Sequence, residues 1–275
     1  MGFGDEIIGA GLARGAAARG KRVAFGDGQR VIWHDNARLI FARNPNVAPP
    51  GTEWCGDVEW IKHYPGRRVY CDICHDRSGR HWRFTPGRVT PGEMYFSAEE
   101  IAAAAAMAPE SFILIEPNTK HQAPNKQWGH DRYAQIARAL SAQGCRVAQF
   151  AAGGVALDRV EQIRTVDFRV ACAVLQRARL YIGPEGGLHH AAAALGVPAV
   201  VIFGGFISPA VTGYAMHTNI FTGDELGCGR IDPCNHCRQA MSRIGVAHVL
   251  HEAHKILEAC DERGRADAVE SVSQA

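Results

Sequence analysis

The sequence predicts an α/β fold built on a parallel, doubly wound sheet, and three observations point to it. From about Phe112 to Leu257, short apolar runs alternate with amphipathic stretches joined by short connections, the pattern of buried strands crossed by helices. The chain has 275 residues, 47% apolar and 21% charged, enough for one large α/β domain or two small ones. Its longest apolar run, Ala191 to Ile207, is interrupted by Gly196, Pro198, Gly204 and Gly205. That run divides into a helix and a strand, and it falls short of the roughly 20 residues that cross a bilayer.

Taken in order, Glu6 to Ala18 reads as a glycine-interrupted helix and Arg22-Val23-Ala24-Phe25 as a strand. Residues 44 to 95 are rich in Pro, Gly, Trp and charge and show few regular periods. Trp54, Trp60 and Trp82 in that stretch either fill core or line a sugar-binding cleft. Ser97-Ala98-Glu99-Glu100 is a capping box opening an alanine-rich connector helix that ends near Pro109. Phe112 to Ile115 is a strand, followed by a polar loop from Glu116 to Gly129. Tyr133, Ile136, Ala137 and Leu140 then fall at helical spacing, with Asp131 as N-cap and Gly144 past the end. Cys145 to Ala151 is a strand closed by Gly153-Gly154, Val170 to Ala178 a helix, and Leu180 to Ile182 a strand. These elements suggest domains at 1–110 and 111–262, and the polar segment 263–275 reads as a disordered tail.

A formal net charge of +2 with no polybasic stretch argues against a nucleic-acid partner and leaves only a peripheral membrane-surface contact open. The first twenty residues carry Asp5 and Glu6 and lack the basic and apolar regions of a secretory signal. Nine cysteines, an odd number, then indicate reduced thiols in a cytoplasmic protein.

The chemistry concentrates in Ile182-Gly183-Pro184-Glu185-Gly186-Gly187-Leu188-His189-His190, which runs into a small-residue helix and the strand Ala199 to Gly204. A strand, a loop with an acid and two glycines, and a helix start make an anion site. Glycine lets the backbone come close, and the free amides and positive end of the helix face a phosphate. The ligand expected is a nucleotide diphosphate.

Three segments together resemble the inverting glycosyltransferases of family 9, the heptosyltransferase type of lipopolysaccharide core assembly. Gly4-Asp5-Glu6 is similar to that family's Gly-Asp loop. Asn125-Lys126-Gln127-Trp128 with Tyr133-Ala134-Gln135-Ile136-Ala137 is similar to its Lys-x-Trp loop and helix. The Glu185 to His190 segment is similar to its Asp-Thr-Gly-x-x-His loop. The resemblance implies two Rossmann-like domains of the GT-B type, with the amino-terminal acceptor domain shortened here. It also implies transfer of a sugar, heptose among the candidates, from a nucleotide-diphosphate donor to a carbohydrate or glycolipid acceptor. That activity belongs in the cytoplasm, with contact to the inner membrane face.

Under that resemblance Asp5 is the general base, with Glu6 in reserve. Lys126 is the cation for the diphosphate, Thr119 and Lys120 add a hydroxyl and a second charge, and the amides of Gly186, Gly187 and Leu188 hold the same anion. His190 donates to a phosphate or to the sugar, His189 is the weaker of the pair, and Glu185 accepts from a ribose or sugar hydroxyl. No metal ligand and no cofactor beyond the donor substrate is assigned. The chain departs from the family pattern in having Glu185 in place of Asp and no strand ahead of Gly4-Asp5. It also lacks an obvious acid near Gly153-Gly154, where Asp158 is the nearest. These departures keep a non-catalytic nucleotide-sugar-binding protein in view.

A third reading is a zinc-stabilised module pairing Cys71-x-x-Cys74-His75 with Cys228-x5-Cys234-x-x-Cys237. Their separation is far from compact zinc-ribbon spacing, so unpaired thiols are the expectation. His248, His251 and His254 read as a packed or solvated helix face.

Overall fold

The computed structural model describes residues 2–51, 58–62, 68–76, 79–108, 111–120, 123–151 and 154–273, apart from the side chains of Asp76 and 263–273. Trp54 and Gly153 lie outside the described residues. The chain opens with α1 (Phe3–Ala17). The Gly4-Asp5-Glu6 segment, expected as a loop ahead of a helix, forms its first turn instead. Asp5 accepts the Gly2 amide at 2.9 Å, and acids in a first turn favour the helix's positive end.

After α1, strand β1 (Arg22–Gly26), helix α2 (Asp35–Phe41) and strand β2 (Val58–Lys62) make one β-α-β unit, with β1 and β2 parallel. Phe25 stacks on Phe41 with ring centroids 4.6 Å apart, closing the helix over the strand. The irregular-looking stretch then forms an antiparallel hairpin, β3 (Cys71–Asp76) and β4 (Gly79–Phe84). Helix α3 (Ala98–Met107) carries the expected capping box, with Glu100 N–H donating to Ser97 Oγ and Ser97 N–H to Glu100 Oε2.

The remainder alternates strand and helix: β5 (Phe112–Ile115), α4 (His130–Ala142), β6 (Val147–Phe150), β7 (Glu161–Ile163), α5 (Phe168–Leu175), β8 (Ala178–Pro184), α6 (Gly187–Ala194), β9 (Ala199–Gly204), α7 (Pro209–Thr212), β10 (Thr218–Phe221), α8 (Asn235–Arg243) and α9 (Val246–Ser273). The N-cap of α4 is Gly129, whose φ is +110°, and Asp131 sits within the first turn rather than at the cap. Gly144, with φ +83°, stands just past its end as expected. The backbone of α9 continues as helix through residues read as a tail. Their Ala, Glu and Arg content has good helix propensity.

The six strands are parallel in the order β10-β9-β8-β5-β6-β7. Their residues alternate between two cores. Phe112, Leu114, Val201 and Phe203 face α1, α5 and α6, while Ile113, Ile115, Val200 and Ile202 face α4 and α9. Burial on both faces is why the central strands β5 and β9 read as unbroken apolar runs. The order reverses between β5 and β8, the switch point beyond whose carboxyl ends α/β sheets bind ligands.

Candidate functional site

A cleft of about 410 Å³ opens beyond the ends of β5 and β8. Asp5, Lys120, Lys126 and Glu185 line it together, although the sequence spreads them over 180 positions. The hairpin contributes Tyr70, Trp82 and Phe84 from the other side.

Glu185 on the cleft wall leads directly into the start of α6. Gly186 is its N-cap with no side-chain cap bond, so the amides of Gly187, Leu188 and His189 have no intrahelical acceptor. A Cβ added at Gly186 would meet nothing within 4 Å, which leaves open space beside these donors. Glu185, at the end of β8, is 5% exposed. Its Oε2 accepts from the Lys126 ammonium, and its Oε1 lies 3.3 Å from His190 Nε2. Burial alone would raise the Glu185 carboxyl; the Lys126 charge and His190 outweigh it and hold the group well below the usual carboxylate range.

Lys126 lies on a short 3-10 turn, Pro124–Lys126, and its Nζ sits 5.1 Å from the centre of the Phe206 ring. The sequence reading makes Lys126 an open cation for a phosphate; here the chain's own carboxylate holds it. The second cation differs. The Lys120 ammonium has no hydrogen bond or ion pair among the described residues, and its Nζ would stand 2.5 Å from a Cβ built on Gly2.

Asp5 lines the same cleft as Lys126 and Lys120. Arg68 Nε donates to its Oδ1 at 2.8 Å and Tyr70 O–H to the same oxygen at 2.5 Å, while Oδ2 accepts from Gly2. Burial raises this carboxyl, but Arg68 and the three hydrogen bonds lower it further, so it is ionised at neutral pH. Glu6, its reserve, is 3% exposed and does not line the cleft. Burial and the nearby Asp5 charge push its carboxyl up to about 7. Thr119 is also off the cleft wall, its hydroxyl buried without a partner.

His190 is fully engaged, with Nε2 toward Glu185 and Nδ1 2.8 Å from the Tyr214 hydroxyl. A proton on Nε2 lets Tyr214 donate to Nδ1, a tautomer that satisfies all three groups. Neither ring nitrogen of His189 has a partner; the ring packs against Phe203, Tyr214 and His217, and burial holds it neutral. Asp158 lies on the surface beside Arg159, away from the cleft. Cys71 and Cys74 do not join Cys228, Cys234 and Cys237 in any ligand group among the described residues, and His248, His251 and His254 form none.

Sequence reasoning missed Arg68, Tyr70, Tyr214 and Arg230. The hairpin that positions Tyr70 had one local signal, the turn-forming Ser78-Gly79 between stretches with aromatic and β-branched residues.

Against known families, residues 85–230 match the model of glycosyltransferase family 9 (heptosyltransferase). Among solved structures, the chain is similar to ADP-heptose LPS heptosyltransferase II of E. coli, at 20% identity and TM-score 0.49, over 64% of this chain and 56% of that one. It is also similar to the iron-containing dodecameric glycosyltransferase TibC of enterotoxigenic E. coli, at 18% identity and TM-score 0.49, over 62% and 50%. A glycosyl transferase of family 9 from Veillonella parvula matches at 16% identity and TM-score 0.47, over 62% and 55%. The chain thus spans about half the length of these proteins. No curated protein matches it.

Proposed function

The chain belongs to glycosyltransferase family 9, the heptosyltransferase family, and from that premise we propose that it transfers a sugar from a nucleotide-diphosphate donor to a carbohydrate or glycolipid acceptor, with inversion at the anomeric carbon. An ADP-linked heptose is the donor that this family membership favours. Residues 111–262 would hold the donor and residues 1–110 the acceptor. No described helix is long and apolar enough to cross a membrane, and a glycolipid acceptor would be met at the inner membrane face from the cytoplasm.

The observation that carries this reading is the meeting of Lys120, Lys126 and the Asp5 carboxylate in one cleft with Glu185, the residue that leads into the uncapped start of α6. Sugar transfer develops negative charge on the departing diphosphate and frees a proton from the acceptor hydroxyl. Donors fixed in advance around the first, and a carboxylate near the second, lower the barrier. In this reading the diphosphate lies over Gly187 and Leu188 and draws Lys126 away from Glu185. The released Glu185, still held by His190, accepts from a hydroxyl of the transferred sugar. Asp5 takes the acceptor proton as the new bond forms. The positive charge that offsets the diphosphate comes from the chain itself, with no metal ion in the reaction.

Thermal shift against nucleoside diphosphates and their sugars tests the donor site: a ligand at 100 times its Kd adds roughly 2.7 kcal/mol of stability. Asp5→Asn should keep that shift and lose release of nucleoside diphosphate from the donor sugar in the presence of acceptor. No shift with any nucleotide would remove the basis of the reading. One feature favours a second reading, a nucleotide-sugar-binding protein without turnover: both Asp5 oxygens are already hydrogen-bonded within the chain. Unmutated protein that binds donor and never releases diphosphate would establish it.

A further inference from the structure

On the far side of the Pro124–Lys126 turn, three thiols and an imidazole that the proposed reaction does not use come together. Cys228 follows β10, Cys234 is the N-cap of α8, and His236 and Cys237 lie in its first turn. One ligand atom from each of the four lies within 4.8 Å of all the others. Cys228 Sγ is 3.7 Å from Cys234 Sγ and 3.1 Å from Cys237 Sγ, and all three cysteines are free. Sulfurs bound to one tetrahedral zinc at roughly 2.3 Å stand about 3.8 Å apart, so a small outward movement of one thiol completes the set.

Two further features point to a bound cation. The Cys237 amide donates to Cys234 Sγ at 3.4 Å, and the helix N-terminus on which Cys234 sits favours a thiolate there. His236 Nε2 lies 3.2 Å from Asp224 Oδ2, while its Nδ1 is buried with no hydrogen-bond partner among the described residues. A metal-bound histidine carries its other ring N–H on a carboxylate in this way. Without an ion, that buried nitrogen is left unsatisfied.

We propose that Cys228, Cys234, His236 through Nδ1, and Cys237 bind one tetrahedral transition-metal ion, zinc or iron. The set is closed, with four protein ligands, so its role is structural. Its effect on the cleft is by position. The loop between Cys228 and Cys234 sends Arg230 into the cleft wall, and the carbonyls of Arg230 and Asp232 accept from Asn125 Nδ2 at 2.6 and 2.8 Å. Asn125 Oδ1 accepts in turn from the Cys234 amide at 3.0 Å. The metal would therefore anchor the loop that steadies the turn bearing Lys126.

Elemental analysis of protein purified without a polyhistidine tag and without added metal tests this, together with cobalt(II) titration of demetallated protein. The expected result is about one zinc or iron per chain, and cobalt bound with the visible and near-ultraviolet bands of a tetrahedral thiolate site. Cys234→Ser/Cys237→Ser should lose both signals, and Cys71→Ser/Cys74→Ser should keep both. His236→Asn, which leaves all three thiols, should weaken cobalt binding by about 10- to 100-fold or more with an unchanged far-ultraviolet spectrum. Trace metal with no thiolate bands in the unmutated protein would overturn the proposal. So would a Cys228–Cys237 disulfide found by mass mapping of unreduced protein, or full metal content in the double serine variant.

Discussion

At the scale of single residues, Glu185 is the partner that neutralises Lys126 and, in the proposed donor site, the group that a diphosphate would displace. The pair is nearly dry, with side chains 19% and 4% exposed, and breaking such a pair from one side leaves a buried charge. Lys126→Met should cost about 3 kcal/mol in urea unfolding and abolish binding of a nucleoside diphosphate. Glu185→Gln should act oppositely on the ligand. It frees the ammonium and removes a negative charge from the α6 start, so ADP should bind about tenfold more tightly, about 1.4 kcal/mol, in isothermal titration. Weaker binding would mean that Glu185 contacts the nucleotide and does not compete with it. The pH dependence has a fixed sign. With the Glu185 carboxyl depressed in the folded state, the pair contributes fully above the ordinary carboxylate pKa, about 4.3, and is lost only as the pH falls toward and through the lower folded value.

At the scale of elements, the site exists because two helices begin side by side. Gly4 of α1 faces Gly187 and His190 of α6, so that a Cβ there would stand 2.7 Å from His190 Cδ2. Phe3 stacks on Phe168 of α5 with centroids 4.1 Å apart, fixing the approach. Gly4→Ala should therefore push His190 off Glu185 and Tyr214. The expected loss is about 1–3 kcal/mol of stability, with donor affinity falling in the same variant; unchanged affinity by titration would show that the His190–Glu185 contact plays no part in binding. The α6 loop was legible in the sequence because its signal is local: a glycine pair between an apolar strand and a small-residue helix. Strands β5, β8 and β9 were legible because burial on both faces leaves an apolar run in each, with only Arg179 at the start of β8 as an exception. The hairpin was not. Its strands mix Asp72, His75, Arg80 and Arg83 with the apolar positions, and they are held from far away, Trp82 N–H donating to Gly229 O and Ile231 N–H to Arg80 O. Arg68 and Tyr70 reach an Asp5 that precedes them by 63 and 65 residues, a pairing no local period records. The spacing of the two CxxC segments argued against a shared site, and they do not join among the described residues. One of them closes on itself, with a histidine that sits between its cysteines.

At the scale of the whole molecule, the two halves that the sequence divides near residue 110 share a core. The cluster around Ile7, Ala10, Phe25 and Phe41 runs on into Phe112, Leu114, Val174 and Ala191. A buried arginine spans the same boundary: from α5, Arg169 donates to Glu100 Oε1 at 2.5 Å and Oε2 at 3.0 Å, to Leu39 O at 2.9 Å and to Tyr95 O. A group that satisfies a carboxylate and two carbonyls from the other half ties opening of the cleft to exposure of core, so the halves should unfold together. The tryptophans make this measurable, because Trp33, Trp54, Trp60 and Trp82 all precede residue 110 and only Trp128 follows it. Fluorescence therefore reports mainly the first half and far-ultraviolet circular dichroism mainly the helices of the second. The two urea transitions should coincide. Arg169→Met should shift both to lower urea by the same amount, about 3 kcal/mol, since it leaves two carbonyls without the arginine's donors and Glu100 without its buried cation, with the Ser97 amide still donating to it. Separated transitions in the unmutated protein would show that the core is not shared in solution. A shift in only one signal for the variant would show that the arginine stabilises its own half alone.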